Sequence, residues 1–306
     1  MTNTPAAIVI LGSANADYSL RVPAIPAPGE TLTGTDFRVA QGGKGANQAV
    51  ACARLGGHAA FIACVGDDGA GRDALTAYAN AGLVTDHVHT TEGLATGSAV
   101  IFVADSGENC IGIAAGANAA LSRARVDASA ATVAAAEILL MQLEAPLDTV
   151  VYAAALARAH QTRVVLNPAP AQTLDPSLLT HVDILTPNET ELAILTGQPV
   201  ASRTDIVAAA QALKQQGPST VIVTLGSAGA ALVTDDTVTV IDAPVVDASD
   251  TTAAGDTFNG ALVVALAEGQ TLAAAVHFAN RAAALSVTRR GAIDAIPTRV
   301  EVDAFS

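Results

Sequence analysis

The sequence predicts an α/β fold in which a mostly parallel sheet carries helices on both faces, with a small antiparallel β lid beside it. Short β-branched runs alternate with longer alanine-rich stretches at helical spacing, which is typical of parallel strands joined by crossover helices. Two segments, at about residues 14–40 and 97–113, break this alternation and contain no helical stretch of their own. We therefore expect them to form hairpins that leave the main sheet.

The predicted elements follow one another along the whole chain. The strands are Ala7–Leu11, Ala59–Val65, Ile138–Leu143, Arg163–Leu166, Asp183–Leu185 and Thr220–Leu225. The helices are Lys44–Leu55, Gly71–Ala81, Leu147–His160, Glu189–Leu195, Ile206–Gln216, Ala254–Ala267 and Leu272–Thr288. Glycines stand where four of these helices should end, at Gly56, Gly82, Gly197 and Gly217. The second lid hairpin is predicted to turn at Asp105-Ser106-Gly107.

Composition narrows the possible functions. The 306 residues are 51% hydrophobic and 14% charged, which excludes a disordered chain. The formal net charge of −14 disfavours nucleic acid and anionic membranes as partners, because both repel an acidic surface. No apolar stretch reaches the ~18 residues of a membrane span, and the start lacks a basic region before its apolar run. We expect one cytoplasmic domain at residues 1–306.

Several kinds of site are disfavoured by the motifs that are missing from the sequence. Cys52, Cys64 and Cys110 show neither a CxxC pair nor a zinc-ligand spacing, and the six histidines form no pair at ligand spacing. Neither a G-x-S-x-G nor an H-E-x-x-H motif occurs, which disfavours a hydrolase.

A run of small residues before the predicted helix Ala254–Ala267 is the clearest candidate site. The backbone N–H groups of residues 253–256 should point outward at this helix N-terminus and stabilise a developing negative charge. Asp256 lies in the first turn, where its carboxylate can accept a proton from an alcohol held against those groups. An isolated Gly-Asp pair is more often a simple cap, but the length and order of Asp250–Leu262 favour catalysis.

Two further loops offer polar groups to a hydroxylated ligand. In Gly42–Gln48, glycines permit close backbone approach while Lys44 and Asn47 supply hydrogen-bond donors. The loop after the first strand contains Asn15 and Asp17, which can bind vicinal hydroxyls, although an ordinary Asx turn explains them equally well. Neither loop is a Walker A sequence or a dinucleotide fingerprint.

Taken together, these segments resemble the ribokinase-like family of carbohydrate kinases. The similarity runs along the whole chain, and the matching segments include Gly12–Asp17, Pro28–Thr31, Gly42–Gln48, Gly66–Asp68, Met141–Glu144, Asn167–Pro170, Thr186–Glu191, Thr224–Gly229 and Asp250–Gly260. The resemblance implies ATP-dependent phosphorylation of D-ribose at O5, giving D-ribose 5-phosphate and ADP.

The resemblance also implies roles for individual residues. Asp256 would be the general base, beside an anion hole formed by the N–H groups of Ala253, Ala254 and Gly255. The implied sugar ligands are Asn15, Asp17, Gly43, Lys44, Gly45, Asn47, Glu144 and Asp256. The implied nucleotide ligands are Asn188, Thr224, Leu225, Gly226, Ser227, Ala228, Gly229, Gly255 and Asn280. Ala253 stands where the family often has glycine, so the site must tolerate one added Cβ near the phosphate.

Two metal ions are implied as well. Mg²⁺ would accompany ATP, with Glu191 acting on the ion and its waters, since Mg²⁺ normally keeps several waters. K⁺ would be an activating cation beside the anion hole. Its implied ligands are Asp250, Thr252, Ser286, Arg289, Gly291 and Ala295, the last standing where relatives often have serine.

The resemblance further implies a homodimer in which the lids of two subunits meet, and an exposed sheet edge needs such a cover. A closed lid would also exclude water from the sugar. A kinase for 2-deoxyribose or another small sugar is an alternative, because one hydroxyl contact separates these substrates. A non-catalytic sugar-binding regulator and a dinucleotide oxidoreductase are less favoured.

Overall fold

The computed structural model describes residues 7–235 and 237–305, so residues 1–6, 236 and 306 of the predicted 1–306 domain lie outside the described residues. The strands are β1 (Ile8–Leu11), β2 (Asn15–Val22), β3 (Thr35–Gly42), β4 (Ala59–Gly66), β5 (Val88–Thr91), β6 (Gly97–Ala104), β7 (Asn109–Ala114), β8 (Ile138–Met141), β9 (Arg163–Leu166), β10 (Ile184–Leu185), β11 (Thr220–Thr224), β12 (Ala230–Val233) and β13 (Val238–Ile241). The helices are α1 (Lys44–Arg54), α2 (Gly69–Asn80), α3 (Arg123–Ala128), α4 (Ala130–Ala135), α5 (Leu147–Ala159), α6 (Pro176–Leu179), α7 (Glu189–Thr196), α8 (Arg203–Lys214), α9 (Ala254–Ala267), α10 (Leu272–Ser286) and α11 (Arg299–Ala304).

The main sheet has nine strands in the order β13-β12-β11-β10-β9-β8-β1-β4-β5. The strands from β11 to β5 pair in parallel, and β12 and β13 add an antiparallel edge. Helices α1, α9 and α10 pack on one face, and α5 and α8 pack on the other. Because both faces are covered, every residue of β1 and β4 is buried, which explains their continuous apolar sequences.

The predicted elements are confirmed. All six predicted strands and seven predicted helices are present, and their ends differ from prediction by at most three residues. The four glycines after helices all have positive φ. Strands β5, β12 and β13 were not predicted from the sequence. The short helices α3, α4, α6 and α11 were not predicted either, because helices of four to six residues bury too few side chains to produce a periodic pattern.

The lid is a separate sheet of four strands in the order β3-β2-β6-β7. Its two hairpins, β2–β3 and β6–β7, are antiparallel as predicted, but the central pair β2–β6 is parallel. β2 follows the carboxyl end of β1 and β6 follows the carboxyl end of β5, which are parallel strands. The two strands therefore enter the lid in the same direction, with Asn15 opposite Gly97. The lid sheet therefore contains both antiparallel and parallel pairs. The parallel pair depends on which strands of the main sheet precede β2 and β6, and the local sequence pattern does not indicate this.

The described ranges, 7–235 and 237–305, show neither a membrane-spanning helix nor a metal-binding cluster of histidine, cysteine and acidic side chains. None of the helices there is long and apolar enough to cross a membrane. The same residues contain no group of three or more His, Cys, Asp or Glu side chains placed to hold a metal. Cys52, Cys64 and Cys110 are free thiols.

Candidate active site

The N-terminus of α1 packs directly on the loop that follows β1. The Ala46 N–H donates to the Ser13 carbonyl at 2.9 Å, and the Gly45 N–H donates to Ser13 Oγ at 3.3 Å. A Cβ atom at Gly45 would lie 2.5 Å from the Ser13 nitrogen, so only glycine permits this approach. The contact brings the predicted sugar ligands of α1 to the carboxyl end of the sheet, where open α/β folds bind ligands.

Glu144 and Asn15 are held in place by hydrogen bonds. Glu144 Oε2 accepts from Ser13 Oγ at 2.6 Å and from the Lys44 N–H at 2.9 Å. Asn15 Oδ1 accepts from Asn118 Nδ2 at 2.7 Å, which leaves the Asn15 amide N–H groups as donors for a ligand. The sequence analysis did not identify Ser13 and Asn118, which act through the predicted ligands.

Asp17 lies on the lid and faces the same site. Its Oδ1 is buried and has no hydrogen-bond partner among the described residues. Burial, and then the negative charges of Glu144 and Asp256, raise the pKa of Asp17 to about 6. A buried carboxylate oxygen without a partner is costly, so its position fits a hydroxyl donor from a sugar.

Asp256 is buried in the first turn of α9, as predicted. Its Oδ2 accepts from Asn47 Nδ2 at 2.8 Å, and its Oδ1 accepts from Gln48 Nε2 at 2.9 Å. Burial raises the pKa of Asp256, although the Lys44 charge and the two amide donors oppose this shift. A carboxylate with a raised pKa is a better proton acceptor for an alcohol.

Lys44 supplies the positive charge of the site. Burial alone would lower the pKa of Lys44, but the carboxylates of Asp256, Glu144 and Glu191 outweigh burial and raise it. The ammonium group of this predicted sugar ligand is therefore kept charged among the three carboxylates.

The backbone at the start of α9 was predicted to form an anion hole. Ala253 is the N-cap and is left-handed, with φ of 58°. The Ala254 N–H donates to the Thr251 carbonyl at 3.3 Å, whereas the Gly255 and Asp256 N–H groups have no acceptor within the described part of the chain. The Gly255 and Asp256 N–H groups can therefore donate to an anion at the N-terminus of the helix. Ala254, which was predicted to donate there with Ala253 and Gly255, already has the Thr251 carbonyl as its acceptor.

Replacing Ala253 by glycine should stabilise the protein. The left-handed backbone costs an alanine about 1 kcal/mol more than a glycine, so Ala253→Gly is expected to raise the free energy of unfolding by about that amount. Chemical denaturation measures the change. Ala254→Gly is the matched control, because Ala254 is the first residue of α9 itself and glycine there should not stabilise. Equal effects of the two changes would contradict the strain at Ala253.

A cavity of about 640 Å³ opens beside α9 and contains most of the predicted nucleotide ligands. The predicted residues that line it are Asn188, Thr224, Gly226, Ser227, Gly229, Gly255 and Asn280. Leu225 and Ala228 are not among its lining residues. Asn280 Nδ2 donates to the Ile241 carbonyl at 2.8 Å, so this amide also anchors the end of β13.

A largely apolar part of the cavity lining was not predicted from the sequence. It comprises the segment 243–246, Ala248 and Thr251, together with Phe258, Ala283, Ala284 and Val287 on or beside α9 and α10. The only sequence signal was the apolar run Pro244-Val245-Val246, in which Val245 is fully exposed. A lining that combines this apolar part with the polar loops suits a flat, largely apolar ring.

Asn188 and Glu191 form a capping box at the start of α7. Asn188 Oδ1 accepts from the Glu191 N–H, and Glu191 Oε2 accepts from the Asn188 N–H, both at 2.8 Å. Burial raises the pKa of Glu191. The Asn-x-x-Glu spacing that suggested a metal-associated glutamate therefore also caps the N-terminus of α7. The capping box uses Oε2 of Glu191, so its Oε1 remains for a ligand.

Three of the six residues predicted to bind a monovalent cation are joined by hydrogen bonds. Asp250 Oδ1 accepts from the Thr252 N–H at 2.9 Å and from Thr252 Oγ1 at 2.6 Å, and Asp250 Oδ2 accepts from the Gly291 N–H at 2.9 Å. Burial would raise the pKa of Asp250, but these donors outweigh burial and lower it. The bonds tie the loop before α9 to the segment after α10.

Of the other three predicted cation ligands, Arg289 and Ala295 can contribute only backbone carbonyl groups, whereas Ser286 also keeps oxygen lone pairs. Arg289 Nη2 donates to Glu301 Oε1 at 2.7 Å, and Ser286 Oγ donates to the Ala283 carbonyl at 2.8 Å, so both side chains are engaged elsewhere. Ala295 has no polar side-chain atom. Carboxylate and carbonyl oxygens are donors that hard cations accept.

Buried amides beneath the site form a group that the sequence analysis did not assign to it. They are Gln48, Gln142, Asn167 and Asn259. One feature of the sequence could have indicated these residues: a polar amide within an apolar run, such as Gln142 near the end of the predicted strand Ile138–Leu143.

Comparison with known proteins agrees with this geometry. Residues 5–299 match the sequence profile of the pfkB family carbohydrate kinases. The chain is 49% identical over 298 residues to the ribokinase of Haemophilus influenzae, with 97% of each chain covered. It is 37% identical over 292 residues to the deoxyribokinase of Salmonella typhi, with 95% of each covered. Its fold is similar to that of the Arabidopsis thaliana ribokinase complexed with ribose and ATP, with a TM-score of 0.94, 34% identity and 98% of each chain covered. The chain therefore belongs to the pfkB family of carbohydrate kinases.

Proposed function

We propose that this protein phosphorylates D-ribose at O5 with ATP, giving D-ribose 5-phosphate and ADP. The observation that carries the proposal is the position of the Asp256 carboxylate. It is buried at the N-terminus of α9 and bonded to Asn47 of the predicted sugar site, while the adjacent Gly255 lines the large cavity. This position between the Asn47 side chain and the cavity supports a role for Asp256 as a base between an alcohol and a nucleotide.

In the proposed reaction, Asp256 accepts the proton of the sugar O5 hydroxyl as O5 attacks the γ-phosphorus of ATP. The O5–P bond forms while the bond between the γ-phosphorus and the ADP oxygen breaks. The N–H groups of Gly255 and Asp256 donate to the transferred phosphoryl group, and Lys44 balances its charge. Asn15, Asp17, Asn47 and Glu144 hold the other sugar hydroxyls, and positioning supplies much of the rate enhancement.

The proposed reaction uses Mg²⁺ with ATP, as kinases do. The free carboxylate oxygen of Glu191 suits the water shell of that ion, because Mg²⁺ keeps several of its waters. We also propose that K⁺ binds at Asp250, Thr252 and Gly291 with carbonyl groups from Ser286, Arg289 and Ala295. An ion there would hold the loop before α9 and strengthen the field at the anion hole.

A coupled ADP-release assay tests the function. We expect turnover that requires both ribose and Mg²⁺ and increases when Na⁺ is replaced by K⁺. Comparing kcat/KM for ribose, 2-deoxyribose, fructose and adenosine identifies the substrate. The similarity to a deoxyribokinase keeps 2-deoxyribose as the second candidate, and a preference for it would overturn the ribose assignment but not the kinase activity. Ribose binding without ATP consumption would instead indicate a non-catalytic sugar-binding protein.

Lys44→Ala is expected to raise the KM for ribose by about 10-fold or more, because it removes a charged hydrogen-bond donor from a buried site. Steady-state kinetics with ribose as the varied substrate measures the change. Lys214→Ala is the matched control. Lys214 bonds to the Ser219 carbonyl and to Asp235, and neither residue is a predicted sugar ligand. An unchanged KM in Lys44→Ala would rule out the sugar contact.

We further propose that the protein acts in the cytoplasm as a single domain and forms a homodimer through the lid. Phe37, Val39 and Val100 lie on one face of the lid sheet and are 63%, 56% and 47% exposed. A second copy of the chain would cover this apolar face. Sedimentation equilibrium should then give twice the chain mass, and the chain mass alone would contradict the dimer.

A further inference from the structure

The orientation of the Asp256 carboxylate depends on a residue outside the predicted sugar and nucleotide ligands. Gln48 lies on α1 and is completely buried, so it cannot contact bulk solvent. Its Nε2 donates to Asp256 Oδ1 at 2.9 Å, while the neighbouring Asn47 donates to Oδ2. Both carboxylate oxygens are therefore held by amide donors from consecutive residues of one helix.

The Gln48 amide is itself fixed in one orientation. Its Oε1 accepts from Gln142 Nε2 at 2.6 Å, and its Nε2 also donates to Asn167 Oδ1 at 3.1 Å. A rotated Gln48 amide would place its oxygen against the Asp256 carboxylate and against Asn167 Oδ1. Two such acceptor–acceptor contacts in a buried site are strongly unfavourable, so the N–H₂ group must face Asp256.

The hydrogen-bond chain continues to the backbone of the anion hole. Asn167 Nδ2 donates to the Thr186 carbonyl at 3.0 Å, and Thr186 Oγ1 donates to Asn259 Oδ1 at 2.6 Å. Asn259 Nδ2 then donates to the Gly255 carbonyl at 2.8 Å. The chain thus starts at the Asp256 side chain and ends on the residue before it, so it joins the base and the first turn of α9 in one network.

We infer that Gln48 is a positioning residue, which aims the Asp256 carboxylate at the sugar hydroxyl and keeps it ionised. The inference rests on the proposed phosphorylation of ribose and deepens it. Gln48 makes no contact with the substrate in this role. It acts by donating to Oδ1 and so leaves the other lone pairs of the carboxylate for the incoming proton.

Other charges also act on Asp256. Lys44 of α1 favours its ionised form, whereas Glu144, Asp17 and Glu191 oppose it. These groups remain in place when only Gln48 is changed. Removal of a donor to the ionised form should raise the pKa of Asp256, because the charged form loses stabilisation and the protonated form does not. In a plot of reaction rate against pH, the acid limb, where the rate falls as Asp256 is protonated, should therefore move to higher pH.

Gln48→Leu tests the inference through the single-turnover rate of ribose phosphorylation with ATP and Mg²⁺, followed from about pH 5 to 9. We expect the plateau rate to fall by about 10- to 100-fold, as for the loss of one hydrogen bond to a charged group. The acid limb should move to higher pH, while the KM for ribose should stay within about 3-fold of wild type, because no sugar contact is removed.

Gln48→Glu keeps the shape of the side chain but places a second carboxyl group against Asp256. The acid limb should then move further to higher pH than in Gln48→Leu, because like charges disfavour ionisation of the pair. Because the new charge can cause this shift by itself, Gln142→Leu decides the question if Gln48→Leu does not fold. Gln142→Leu, which removes only the donor to Gln48 Oε1, should give a smaller shift in the same direction.

Thr162→Val is the control for a purely structural loss. Thr162 is buried and donates to the Val133 carbonyl at 2.8 Å, just before β9 begins and thus at the amino end of the sheet. Thr162→Val should lower the melting temperature and leave the acid limb of the pH–rate plot unchanged. An acid limb unchanged in the Gln48 variants would overturn the inference, even if they were less stable. Wild-type protein that forms no ribose 5-phosphate would instead refute the proposed function.

Discussion

Asp256→Asn is expected to lower kcat for ribose phosphorylation by ~10²–10⁴-fold, the range typical of a general acid–base group. The asparagine keeps the size of the side chain but cannot accept the proton of the O5 hydroxyl. Its amide also turns an N–H₂ group toward the N–H₂ group of either Asn47 or Gln48, so one of these two hydrogen bonds is lost. Ribose binding should remain roughly intact, because the other sugar ligands are unchanged.

The measurement combines steady-state kinetics with ribose binding by isothermal titration calorimetry. Asp205→Asn is a matched control, since Asp205 occupies the equivalent third position of α8, where it forms an exposed capping box with Ser202. That change should cost about 1 kcal/mol of stability at most and leave kcat unchanged. Near-normal turnover in Asp256→Asn would remove the residue from the role of base.

Gly45→Ala should have the second-largest effect, through the backbone rather than through chemistry. The added Cβ would lie 2.5 Å from the Ser13 nitrogen and 2.6 and 2.7 Å from two backbone atoms of Gly12. These atoms cannot rotate away, so α1 must shift from the loop after β1. We expect the free energy of unfolding to fall by about 1–3 kcal/mol.

The same shift should move Lys44 and Asn47 relative to Asn15 and so disturb sugar binding. Displacements of this kind can cost on the order of 10²-fold in rate, which we expect in kcat/KM for ribose. Gly69→Ala is the control, because Gly69 also lies in the first turn of a helix but would find no atom within 4 Å of its new Cβ. Similar losses in both variants would show that the close contact at Gly45 is not the cause.

Much of this protein can be predicted from its sequence. The apolar runs of β1 and β4 predict buried parallel strands, because strands covered on both faces carry no polar positions. The helix Ala254–Ala267 is observed with the bounds predicted for it, and Asp256 lies in its first turn as expected. These features depend on local propensity and on burial, and both leave a periodic pattern in the residues themselves.

The tertiary structure alone decides which distant residues meet. Gln48 bonds to Asp256 across 208 positions, and no local pattern reports the partner of a buried polar group. The parallel pairing of β2 and β6 likewise depends on where both strands leave the main sheet. The residue types that can do the chemistry are therefore visible in the sequence. Their orientation, and the buried amides that hold Asp256, arise only when segments from both ends of the chain pack together.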